Sequence, residues 1–202
     1  DYNEISANTI EFISAPKTED IIIFEGMENT DISKISFEDI NVENLCIANW
    51  GESGIISYAK ASTIASLDNV FKLNVDIISF KELQYFIALD SIIDSSFEGC
   101  SSLNSIIIPN SVKSLNFRAF ADSGLYSIVI PKTIKSIGDN CFRGCINLVS
   151  VTVESIIPPI LGDGVFIDDI ELTNIFVPEE SVDKYKIADQ WENYSTIITA
   201  II

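Results

Sequence analysis

Leu125–Cys145 reads LYSIVIPKTIKSIGDNCFRGC, and this stretch decides the fold. Apolar side chains fall at Leu125, Ile128 and Ile130, then at Ile134 and Ile137, then at Phe142. The alternation through Ile128 and Ile130 predicts a short strand with one face inward. Pro131 follows; it has no N–H to give to a ladder and ends the strand. The preceding stretch, Leu103–Ser123 (LNSIIIPNSVKSLNFRAFADS), repeats the pattern with Ser123 in place of the cysteine.

The period extends both ways. The phrase L-x-x-I-x-I recurs as Leu103-Ile106-Ile108, Leu125-Ile128-Ile130, Leu148-Val151-Val153 and Leu172-Ile175-Val177, spaced 22, 23 and 24 residues apart. Phe97, Phe120, Phe142 and Phe166 recur in step. A fixed period of this length is the signature of stacked coils. One coil cannot bury its apolar face alone, so each needs neighbours and the two ends need caps. Strands are predicted at 105–108, 127–130, 150–153 and 174–177, parallel and in one sheet. The residues between the inward positions then face outward. One row reads Ser105, Ser127, Ser150 and Asn174; the next reads Ile107, Val129, Thr152 and Phe176, with Tyr126 alongside. None is charged. The mild reading is that β-branched residues suit strands; the sharper one is a ligand or partner patch.

These units resemble the BspA-type leucine-rich repeat of bacterial surface proteins. The resemblance covers about residues 80–178 and implies an α/β fold, a short right-handed solenoid with one parallel sheet. It also implies a non-catalytic binding or adhesion module at a cell surface, recognising a protein or glycan; the competing reading is a structural spacer. The tail IFVPEESVDKYKIADQWENY (175–194) is similar to the closing segment of such proteins. Val182, Tyr185 and Ala188 lie at helical spacing, extended by Trp191, Tyr194 and Ile197, so residues 179–202 are expected to form a helical cap.

Residues 1–79 are expected to cap the other end. SFEDINVENLCIANW (36–50) carries a stripe at Val42, Leu45, Cys46 and Asn49, and SYAKASTIASL (57–67) has Ser57 as its N-cap. Related sequences often place a calcium-type loop between two such helices. Here the loop falls two residues short, starts on Gly51 and puts Lys60, a cation, at the closing ligand position, so no calcium is expected. Further upstream, ANTIEFIS (7–14) and EDIIIFEGM (19–27) read as two strands.

Composition narrows the chemistry. The chain has 202 residues and no histidine, which removes His-based nucleophile activation and HExxH zinc sites. The net charge is −18, from 12 bases against 30 acids, without the basic stripe that nucleic acid requires. Residues 1–79 carry net −10, residues 80–178 net −5 and residues 179–202 net −3. No apolar run reaches the ~18 residues of a membrane helix. Cys46, Cys100, Cys141 and Cys145 could in principle form two disulfides but are read as small buried residues. Cys100 and Cys145, two coils apart, are expected to be free thiols, the pair Cys141 and Cys145 within one turn stays open, and no metal or other cofactor is expected. The pairs Asp168-Asp169 and Glu179-Glu180 are read as solvated turns, and no catalytic residue is assigned. A chain starting at Asp1 without Met or leader reads as a trimmed, mature or engineered form with any export signal removed, and the resemblance implies an extracellular or cell-surface location.

Overall fold

A computed structural model describes residues 33–201. The two strands expected at 7–14 and 19–27 lie outside the described residues. Helices α1 (Ile40–Trp50) and α2 (Tyr58–Ala61) come first. Asp39 caps α1 by accepting the Asn41 N–H, and Ser57 caps α2 by accepting that of Lys60. Buried Val42 and Cys46 form the inner face of α1, while Asn49 is exposed.

From residue 79 onward the chain lays down short parallel strands on two faces. One face carries β1 (Ser79–Phe80), β3 (Ser105–Ile106), β5 (Ser127–Ile130), β7 (Ser150–Val153), β9 (Asn174–Val177) and β10 (Ile198–Ala200). The other carries β2 (Ser91–Ile92), β4 (Ser114–Leu115), β6 (Ser136–Ile137) and β8 (Ile160–Leu161), in one uninterrupted order β2-β4-β6-β8. Every strand pair in these sheets is parallel.

Between the faces run stacked aromatic rings. Phe71, Phe97, Phe120, Phe142 and Phe166 lie at successive centroid distances of 5.3, 5.3, 5.3 and 5.6 Å. Trp50 closes the stack on Phe71, and Tyr194 meets Phe166 edge-on. The F-x-G-C phrase makes this possible. Its third position is left-handed in every coil: Leu73, Gly99, Asp122, Gly144 and Asp168 have φ of 59, 73, 56, 73 and 68°. Glycine takes that conformation without strain. The turn folds the chain back so that each Phe enters the core.

Two expectations change. The sheet on the first face is not single. β1 pairs only with β3, and a separate ladder runs β10-β9-β7-β5, so β3 and β5 are not laddered. The break coincides with the shortest connection of the repeat. Phe120 is followed by Leu125 after five residues, whereas Phe97 to Leu103 and Phe142 to Leu148 take six. The shorter link draws Gly124 so close to the Ser101 carbonyl that a Cβ there would lie 2.3 Å from its oxygen. The tail is also not one long helix. Only α3 (Val182–Lys186) is α-helical, flanked by 3-10 turns at Glu179–Ser181 and Trp191–Tyr194. Gln190, at φ 62°, breaks the stripe, and β10 adds in parallel to β9.

Candidate binding face

The alternation read from the sequence holds on the strands. In β5, Ile128 and Ile130 are buried while Ser127 and Val129 are exposed. The ladder register aligns Ser127, Ser150 and Asn174, and beside them Val129, Thr152 and Phe176. These six residues form two continuous rows. The second row gains Thr199, opposite Phe176. Tyr126 is 61% exposed, and its carbonyl accepts the Val149 N–H, so it starts a third row through Val149 to Thr173. Asn174 donates to the Thr173 hydroxyl at 2.9 Å.

Ser105 and Ile107 stand apart. They belong with β3, across the break, and pair towards β1. The helical spacing of its segment hides Thr199 in the sequence, whereas alternation makes Val149 and Thr173 legible as outward positions beside Tyr126. The two continuous rows carry hydroxyl, amide and apolar groups and no ionisable side chain.

Charge lies elsewhere, on the F-x-G-C turns. Glu98 receives Lys72 at 3.1 Å and Arg118 at 2.8 Å, and Arg118 also reaches Asp122 at 2.9 Å. Partial burial pushes the Glu98 carboxyl up, but hydrogen bonds from Ser95, Lys72 and Arg118 outweigh this and hold it near 2. This network ties three coils together along one edge.

The four cysteines are free and buried. Burial pushes Cys100 and Cys145 up to about 12, so both remain thiols at neutral pH and lack the thiolate a nucleophile needs. Cys100 donates to the Phe71 carbonyl and Cys145 to that of Phe120, each bridging neighbouring coils. Asp169 corrects the reading of solvated acid pairs. It occupies the cysteine position of the fourth unit, is 9% exposed, and accepts the Cys145 N–H at 2.8 Å. Its Oδ2 has no partner. Burial is the main cause that raises its carboxyl to about 8. Its neighbour Asp168 does face solvent, 3.3 Å from Arg143.

Lys60, in α2, lies 3.0 Å from Glu52 in the loop before it. Among the described residues, no three acidic or sulfur side chains gather as a metal site. No helix among them is long and apolar enough to cross a membrane.

The family model for the BspA type leucine rich repeat region matches residues 68–188, in six copies. The chain belongs to the BspA-type leucine-rich repeat family. Solved structures similar to this BspA-type solenoid include a leucine-rich repeat protein from Bacteroides ovatus (20% identity over 61% of this chain and 34% of that one, TM-score 0.41). Another is a T. pallidum leucine rich repeat protein (26% identity over 52% of each chain, TM-score 0.39). A third is a leucine rich cell surface protein from Faecalibacterium prausnitzii (18% identity over 48% of this chain and 44% of that one, TM-score 0.28). The chain thus spans between about a third and a half of these structures. A search of the curated proteins finds no match.

Proposed function

We propose that this chain is a non-catalytic binding or adhesion module of a bacterial cell-surface protein, recognising a protein or glycan through its first sheet face. The observation that carries the reading is the pair of aligned, uncharged rows on a chain of net charge −18. Val129, Thr152 and Phe176 supply apolar contact, Ser127, Ser150 and Asn174 supply hydrogen bonding, and Tyr126 supplies an aromatic edge. Ser105 and Ile107, across the break, form the rim of the site. Family membership supports the surface location and the absence of catalysis.

Phe176 is the best single anchor, because large aromatic side chains dominate binding energy. A glycan and host-matrix protein array identifies the ligand, and calorimetry then compares the native chain with a Val129→Lys, Phe176→Lys double variant. Binding is expected to be lost with folding intact, since neither side chain fills the core, and to depend only weakly on salt. Unchanged affinity of the double variant moves the site off this face. An array with no ligand favours a spacer.

A further inference from the structure

The outer edge of β10 differs from every other strand edge at the ends of the first face. The Ile175 N–H donates to the Ile197 carbonyl at 2.9 Å, and the Ile201 N–H donates to the Val177 carbonyl at 2.8 Å. With the register Ile198 to Ile175 and Ala200 to Val177, the inward-facing backbone groups of this strand belong to residues 197, 199 and 201. The N–H and C=O groups of Ile198 and Ala200 therefore point away from the sheet. β10 is the last strand of its ladder, and among the described residues nothing pairs with those groups.

The opposite end is sealed. The Asp39 carboxylate accepts the N–H groups of Ile78 and Ser79 at β1, and Glu38 accepts the Ser79 hydroxyl. Proteins ordinarily protect an open edge with charge, proline or a bulge. Residues 193–202 (NYSTIITAII) contain no acidic or basic side chain and no proline. Ile160 and Ile187, 76% and 79% exposed, stand on the last strand of the second face and at the end of α3.

We propose that β10 is a self-association edge, pairing antiparallel with β10 of a second copy across a two-fold axis at Thr199. The geometry is self-complementary. Ile198 and the partner's Ala200 exchange both of their N–H···O bonds, as do Ala200 and the partner's Ile198, which is the hydrogen-bonded pair of an antiparallel ladder. Four bonds form without disturbing the β9 ladder, and the sheet continues from one copy into the next. A two-fold contact of this kind uses one patch on both subunits and closes on itself. Charge also favours this place. Each copy carries net −18, so two copies repel at most approaches, and this edge lets them meet at a strand, Ile198–Ala200, that has no ionisable side chain of its own.

The test is sedimentation velocity on the 202-residue chain across protein concentration and salt. A monomer–dimer equilibrium is expected. It should strengthen with salt, because the Debye length falls from about 30 Å at 0.01 M to about 3 Å at 1 M and screens the repulsion between copies. Ala200→Pro removes one outward donor per copy and none of the bonds to β9. It should weaken association by roughly tenfold or more while leaving the circular dichroism of the monomer unchanged. Should that variant fold poorly, Thr199→Lys places like charges at the two-fold axis on an outward position and should have the same effect. Val129→Lys, within the proposed ligand face, should leave dimerisation intact, which separates this proposal from the preceding one. A single monomeric species under all conditions overturns it, as does a dimer indifferent to both edge variants.

Discussion

The two caps of the solenoid are held in place by opposite chemistry. At the N-terminal end a buried carboxylate does the work. Asp39 accepts the N–H of Asn41 at the start of α1 and those of Ile78 and Ser79 at β1, so one side chain caps a helix and seals a sheet edge. At the C-terminal end neutral donors satisfy carbonyls of the 155–159 loop. Tyr185 Oη reaches Ser155 at 2.7 Å, Ser181 Oγ reaches Ile156 at 2.9 Å and Trp191 Nε1 reaches Pro159 at 2.7 Å. The first device depends on a charge and the second on aromatic volume. The ends should therefore fail under different conditions.

Truncating the aromatic cap is expected to have the largest effect. Trp191 is fully buried against Tyr185, with ring centroids 5.0 Å apart. Trp191→Ala should cost about 3–5 kcal/mol. Hydrogen exchange should show β9 and β10 losing protection while α1 keeps its own. Equal loss at both ends would mean that the solenoid unfolds as one unit and that the caps are not separable.

Removing the charged cap comes next. Asp39→Ala leaves the N–H groups of Asn41, Ile78 and Ser79 without their acceptor and should cost about 2–3 kcal/mol. Asp39→Asn keeps an acceptor and should recover about half of this in denaturant melts. Burial pushes the Asp39 carboxyl up, but its backbone hydrogen bonds from Ile78, Asn41 and Ser79 more than offset this and leave it lowered. Its contribution is therefore present above the unfolded carboxylate value of ~3.9 and lost as pH falls through the folded value.

Asp169 reverses the sign. Its carboxyl is raised to about 8, so its protonated form favours the folded chain. That stability is complete below ~3.9 and declines as pH rises towards 8, by at most about 1.4 kcal/mol per pH unit. Asp168, Asp122, Cys141, Cys145 and Tyr194 are the titratable groups around it. Asp169→Asn should flatten the decline of stability between pH 4 and 8 seen by urea denaturation. A slope that persists in this variant assigns the titration to another group.

Much of this was legible in the residues. The period of Leu103, Leu125, Leu148 and Leu172 located three of the strands of the first face almost to the residue. The Phe ladder was legible from Phe97 but not from Phe71, where FKLN (71–74) lacks the Gly-Cys signature and Leu73 takes the left-handed turn despite its side chain. The outward rows followed from alternation alone. The break between β3 and β5 did not, because it turns on one residue missing before Leu125. The tail misled for a physical reason. Val182, Tyr185, Ala188 and Trp191 have helical spacing, yet a left-handed Gln190 lets the chain turn and return as a strand. Asp169 misled because sequence adjacency to Asp168 hides that one carboxylate faces solvent and the other the core.

The five stacked phenylalanines carry a problem of address. Rings 5.3–5.6 Å apart look alike from coil to coil, so a coil docked one repeat out of place would bury almost the same surface. Identity must come from positions where the repeats disagree. The cysteine column is one such position, reading Cys100, Ser123, Cys145 and Asp169. Ser123 meets the Cys145 sulfur at 3.2 Å, and Asp169 Oδ1 accepts the Cys145 N–H. A slip of one coil would set Asp169 against Ser123 and leave Cys145 facing Cys100. Divergence along this column works as a numbering scheme that tells each turn of the chain which neighbour is its own.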